Sequence, residues 1–249
     1  MARFAPTVAT AGLALALLAA LALLIAGPGY RFGLWSLGTG FALVRYAAYG
    51  GIAAAVVSTV GLVLARPRGR RRGMFRALAG LVIGLIVVGV PWSYARSARA
   101  APPIHDITTD VADPPAFAAS LPLRADAPNP ADYGGAEVAA QQRESYPDIG
   151  PLIVAPAPQR AYAAALAAAL EMDWRIVAAD EADGRIEATD RTWWFGFTDD
   201  IVVRIRPEGA GSRVDVRSAS RVGVGDFGTN AERVRAYLAE VREQLEPAG

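Results

Sequence analysis

A chain of 249 residues with 53% hydrophobic and 20% charged content is more apolar than an ordinary soluble protein, and all 25 of its basic residues are arginine. The absence of cysteine and lysine excludes disulfides, thiolate zinc sites, cysteine nucleophiles and Schiff-base chemistry, and leaves His105 as the whole imidazole supply. All 24 acids lie at or beyond Asp106, so residues 101–249, with 14 arginines, carry a net charge of −10; a soluble half this acidic excludes nucleic acid as a partner.

A bilayer core of about 30 Å is crossed by roughly 20 apolar helical residues. Three stretches reach that length, Val8 to Ala26, Phe41 to Ala65 and Met74 to Tyr94, and they predict a three-helix transmembrane anchor over residues 1–95. A cleaved signal peptide after Arg3 is the competing reading of the first stretch. Its apolar run is too long, and Gly27-Pro28-Gly29-Tyr30 lacks a small-x-small cleavage site.

Six arginines fall in the eleven residues from Arg66 to Arg76, against Arg31 alone in the first loop. Short basic loops stay cytoplasmic. The expectation is a cytoplasmic N-terminus, with everything beyond Tyr94 extracytoplasmic. Alanine richness without lysine is the coding bias of a GC-rich bacterial genome, which makes the expected site the bacterial inner membrane with a periplasmic domain. Arg45 in the second span has no acidic partner in the other spans, which argues against ion or proton transport. Gly80-x-x-x-Gly84 allows close helix approach, within the bundle or in a homo-oligomer.

Residues 96–158 are rich in proline and alanine and read as an arm with short ordered motifs. Ile104 to Asp110 alternates weakly like a strand, and Tyr146-Pro147-Asp148-Ile149 reads as a turn. Residues 159–249 carry the signals of an α+β domain. Pro158 suits a first helical position, with Tyr162, Leu166, Ala169 and Leu170 on one face and an end near Met172. Strands are predicted over Trp174 to Ala179, Arg185 to Thr192, Ile201 to Arg206 and Arg213 to Arg221, joined by Gly- and Asp-bearing turns. In the last two strands apolar residues alternate with charged ones, predicting one buried and one wet face. Thr229-x-x-Glu232 reads as a capping box opening a helix with Val234, Tyr237, Leu238, Val241 and Leu245 on one stripe. The expected fold is an α-helical three-span anchor followed by an α+β domain, an antiparallel four-stranded meander with two helices on one face.

Gly223-Val-Gly225-Asp-Phe-Gly228 matches a dinucleotide fingerprint in letters, but the chain lacks the parallel second strand that such a site needs; no cofactor is expected. The same corner can hold an anion through Arg217, Ser218, Ser220, Arg221, Asp226 and Asn230 near a helix N-terminus. The plainer reading is that Asp226 and Asn230 brace the corner while Arg217 and Arg221 pair with acids across the sheet. His105, Asp106 and Asp110 are the one cluster able to ligate a divalent metal, although aspartates also make turns. Trp193-Trp194-Phe195-Gly196-Phe197 sits at a hairpin; alternation buries about half of its aromatics, and the rest are expected to pack beneath the Pro-rich arm, with a ligand groove or the bilayer surface as alternatives.

Ile104-His-Asp-Ile-Thr-Thr-Asp110, Pro114-Pro115-x-Phe117, Tyr146-Pro-Asp-Ile149, Gly184 to Asp190, and Arg217 to Gly223 through Asn230 together resemble the bacterial and plant family called domain of unknown function fourteen ninety-nine. The resemblance spans about residues 102 to 245 and implies no activity, substrate or catalytic residue. The expected function is a membrane-anchored envelope protein whose outer domain binds or scaffolds an envelope protein or an anionic envelope ligand. The alternative is an esterase-like or metal-assisted hydrolase using His105 with the aspartates, or the Arg217 to Asn230 corner.

Overall fold

The computed structural model describes residues 5–65 and 71–246, so Arg3 and the Arg66, Arg68 and Arg70 part of the basic loop lie outside the described residues. The chain divides into two compact units, Met1–Arg96 with Trp193–Gly196, and Ser97–Thr192 with Phe197–Gly249.

The first unit is built on α1 (Ala5–Arg31), α2 (Leu37–Ala65) and α3 (Arg71–Ala100), the last turn of α3 belonging to the second unit. All three helices are long and apolar enough to cross a membrane. Small residues let them approach: Gly12 of α1 and Gly80 of α3 face Ser58 of α2, and Gly84 faces Gly51, with no room for a side chain at these glycines. The Gly80-x-x-x-Gly84 pattern is therefore used inside the bundle. Trp194 packs on the cluster of Ala19, Leu23, Ala47 and Val87, and the Phe195 ring lies 5.4 Å from Phe41 and 6.2 Å from Tyr30. These two aromatics pack with the helices, not beneath the Pro-rich arm as expected.

The second unit is an α+β fold on one antiparallel sheet. β3 (Arg175–Asp180), β4 (Arg185–Arg191), β5 (Thr198–Glu208) and β6 (Gly211–Ser220) form the expected meander. The sheet has six strands rather than four. β1 (Asp106–Thr108) and β2 (Leu152–Val154) each pair antiparallel with a different half of β6, along the edge that β5 leaves free. β1 lies within the weakly alternating Ile104 to Asp110 segment, whereas β2, with three residues, is too short to show a period in sequence.

One sheet face carries the apolar core, where Ile186, Ile201, Val203, Ile205, Val214 and Val216 meet α5 (Pro158–Glu171) and α6 (Thr229–Leu245). α5 opens with Pro158 in its first turn, as expected, but its buried side is Ala161, Ala165, Ala168 and Ala169 with Tyr162, and Leu170 is 57% exposed. Alanines bring the α5 backbone close enough for Tyr237 Oη of α6 to donate to the Ala165 carbonyl at 2.8 Å, while the Tyr237 ring stacks on Trp174 at 4.6 Å.

The other face, expected to be wet, is covered by the arm. Phe117 packs on Val202 and Ala219, and Pro122–Arg124 forms a 3-10 turn. α4 (Gly135–Ser145) follows, and its Gln142 accepts from Thr108 N (3.0 Å) and donates to Thr108 O (2.6 Å), closing the outer edge of β1 as another strand would. Tyr146 to Ile149 forms the expected turn, with Ile149 N donating to Tyr146 O at 3.2 Å.

Candidate functional site

Strand alternation divides the corner residues between the two faces of the sheet. Odd-numbered β6 residues point to the arm and even-numbered ones to the helices. Arg217 is buried on the arm side, where Nε and Nη2 donate to Asp106 Oδ1 (2.9 Å) and Oδ2 (2.7 Å) and further bonds reach the carbonyls of Pro115 and Ala131. The Phe117 and Tyr133 rings cover its guanidinium at 4.8 and 5.6 Å. Burial, followed by the charge of Asp106, pushes the Tyr133 phenol up to about 12. Arg221 faces the arm side too, bidentate on Asp200 (2.8 and 2.7 Å), which also accepts from Arg124 Nη1 at 2.6 Å.

Two further clasps complete that face. Glu187, fully buried, accepts the amides of Ala118 and Ala119 at Oε1 (2.8 and 2.9 Å) and of Ser120 at Oε2 (2.8 Å). Asp110, Asp113 and Asp215 interlock with Arg204, Arg206 and Arg213 at distances from 2.8 to 3.5 Å. Burial would raise the Asp110 carboxyl, but the amides of Asp113 and Ala112 and the charges of Arg213 and Arg204 outweigh it and hold the group below its ordinary value.

Ser218, Ser220 and Asn230 meet on the helix side. Ser218 Oγ donates to Asn230 Oδ1 (2.6 Å), and Asn230 Nδ2 donates to Ser220 Oγ (2.9 Å) and the His105 carbonyl (3.0 Å). Arg233 Nη1 donates to Asn230 Oδ1 (2.7 Å) and Ser218 Oγ (3.1 Å), and its Nη2 bridges Asp190 and Asp199, both at 2.7 Å. Arg233, Asp190 and Asp199 are not among the site residues expected from the sequence. The signal existed for Arg233, which lies three residues after Asn230 and beside Val234 on the inner stripe of α6.

Asp226 accepts from Gly228 N (2.9 Å) and Asn230 N (2.7 Å), and burial pushes its carboxyl up. Asp226 thereby caps α6. The expected Thr229 capping box does not form, because Gly228, at φ +88°, is the N-cap and Thr229 already lies in the helix. Asn129 of the arm clamps the same loop through Nδ2 to the carbonyls of Ser220 (3.0 Å) and Gly223 (2.9 Å).

The metal candidates point apart. Asp106 is held by Arg217, Asp110 by the three arginines, and His105 Nδ1 lies 3.4 Å from the Val224 carbonyl. Among the described residues no group of three or more potential ligands comes together. Shallow depressions of about 260 and 310 Å³ flank α6, one lined by Asp148, Arg235 and Arg242, the other by Trp174, Asp190 and Glu232. Neither His105 nor any of Arg217, Ser218, Ser220, Arg221, Asp226 and Asn230 lines them.

What the corner offers to solvent is apolar. Val224 is 78% exposed, and Phe227, 44% exposed, holds φ +60°, a conformation that bulky side chains rarely adopt. Asp226 and Asn129 fix the backbone on which both are displayed.

A family described as a protein of unknown function (DUF1499) matches residues 106–241, a stretch that contains the arm from Asp106 onward, the sheet, α5 and most of α6. No curated protein matches the chain.

Proposed function

We propose a binding or scaffolding role in the cell envelope for this chain, which belongs to the DUF1499 family. The chain is anchored by its three apolar helices in the inner membrane, with its N-terminus cytoplasmic and its α+β domain periplasmic. The arginine-rich segment from Arg66 to Arg76 supports that orientation, since short basic loops are retained on the cytoplasmic side.

The observation that carries the binding role is the apolar corner of Val224 and Phe227. Exposed apolar side chains on a strained, rigidly braced backbone favour partner contact, because ordering them costs little on binding. Arg217 and Arg221 are already committed to Asp106 and Asp200, so the contact is assigned to the apolar pair ahead of an anion at those arginines. The partner is another envelope protein or a second copy of this chain.

The native chain has no cysteine, so Val224→Cys places one cross-linkable site in the whole protein. A thiol-reactive benzophenone, which on illumination inserts into nearby C–H bonds and so needs no lysine on the partner, should give a discrete adduct in intact membranes that disappears when Phe227→Asp is added. An adduct indifferent to Phe227→Asp, or monomer alone, would contradict the reading.

A further inference from the structure

The turn between β4 and β5 groups with the helices. It meets α1 and α2 at the end of the bundle where α1 finishes and α2 begins, away from the end where α2 finishes and α3 begins. Gly27 of α1 opens room for Trp194, and Gly40 of α2 opens room for Phe195. Arg31 Nη1 donates to the Trp193 carbonyl at 2.9 Å. The Tyr94 ring of α3 lies 5.8 Å from Trp194. Tyr30, Trp35, Phe41, Trp92, Tyr94, Trp194 and Phe195 thus gather at one end of the bundle, as aromatic residues do at the headgroup level of membrane proteins.

Trp193 is the exception within the turn. It is 77% exposed while its neighbours are packed, and Phe32, Leu34 and Trp92 at the same end are also exposed. A large indole in water is unfavourable, whereas in the headgroup layer its ring meets acyl chains and its N–H meets polar groups. No acidic residue lies between Arg191 and Thr198, and Arg31, exposed and bonded to the Trp193 carbonyl, adds a positive charge at this end. We infer that the Trp193–Gly196 turn is an interfacial membrane anchor, with Trp193 seated in the headgroup layer at the end of the bundle where α1 finishes and α2 begins. The partner is the lipid surface. This inference rests on the membrane-anchor reading and adds a fourth membrane contact drawn from the far side of the sequence.

Two measurements on the full chain in phosphatidylethanolamine–phosphatidylglycerol vesicles test it. In the first, nitroxide labels are placed on Trp193→Cys, on Val56→Cys of α2, an exposed position within a span, and on Glu181→Cys, an exposed position between β3 and β4. Relaxation by oxygen should dominate at Val56, a water-soluble nickel chelate should dominate at Glu181, and the label at 193 should fall between them. In the second, which keeps the indole, the emission lost on Trp193→Phe should be the part quenched by lipids brominated near the headgroup. A label at 193 as accessible to nickel as that at Glu181, with a difference emission that brominated lipid does not quench, would overturn the anchor while a deep Val56 label leaves the spans standing. A Val56 label open to nickel would overturn the spans and the anchor together.

Discussion

The two faces of the sheet are built from the same strands by different means. Toward α5 and α6, β5 and β6 present Ile201, Val203, Ile205, Val214 and Val216 to helices that bring alanines, Val234, Tyr237 and Val241. Toward the arm the same strands present Asp200, Arg204, Asp215 and Arg217, and the arm answers with Arg124, Asp110, Asp113 and Asp106, adding little apolar surface beyond Phe117. The stretch from Val111 to Tyr133 brings few apolar residues to the sheet and is held there mainly by hydrogen-bonded charge, whereas Ile104, Ile107 and Leu152 toward the ends of the arm join the helix-side core. Such a layer gains its strength from complete pairing. Each buried charge is a liability once its partner is removed, which apolar contacts are not.

Breaking a clasp should therefore be the most damaging single change. Arg217→Ala leaves Asp106 buried without its partner and should cost about 3–5 kcal/mol in denaturant unfolding of the full chain in detergent, whereas Arg217→Met combined with Asp106→Leu should cost much less. A double variant as unstable as the single one would show that the pair does more than compensate charge. Glu187→Gln keeps the shape but gives up one acceptor oxygen for three amides, and should cost about 1–3 kcal/mol. On the helix face, Tyr237→Phe loses only the bond to Ala165 and should cost about 0.5–1.5 kcal/mol.

Acid sharpens the contrast between two carboxylates, the partly exposed Asp110 and the buried Asp226. Asp110, lowered in the folded state, contributes stability that is complete above the ordinary carboxylate value of 3.8 and is lost as pH falls through its lower folded value. Asp226, raised by burial, has the opposite sign: its contribution is complete below 3.8 and is lost as pH rises through its higher folded value. Asp110→Asn should flatten the acid side of the curve of unfolding midpoint against pH, and Asp226→Asn should remove the loss above it. The smallest effect is expected at Arg235→Ala, since its pair with Asp148 is solvent-exposed and should be worth about 0.2–1 kcal/mol.

Much of this architecture was legible in the chain. Three apolar stretches located the helices, and alternation with Gly- and Asp-bearing turns located β3 to β6. The turn at Tyr146 and the Pro158 start of α5 were legible there too. What escaped notice shares a physical cause, because the arm face is charged and charge in sequence looks the same whether it meets water or a partner. Arg204 and Asp215 alternate in β5 and β6 as a solvated face would, and only the placement of Asp110 about 95 residues from Arg204 reveals its pairing; Arg217 is expected to pair with an acid, but its partner, Asp106, lies in the arm. The corner residues divided for the same reason: adjacent positions such as Arg217 and Ser218 look like one site in sequence and stand on opposite faces in the sheet. Leu170 misled in the other direction, since α5 turns its alanines inward and leaves this larger residue outside.

Amide hydrogen exchange of residues 106–134 in the detergent-solubilised full chain probes the arm's attachment. If the arm is a clasped layer of the fold, the amides of Ala118, Ala119 and Ser120, each bonded to Glu187, should exchange as slowly as those of β5 and should speed up together in Glu187→Gln. Exchange at the rate of a free chain in the unaltered protein would contradict the account and return the arm to a tether.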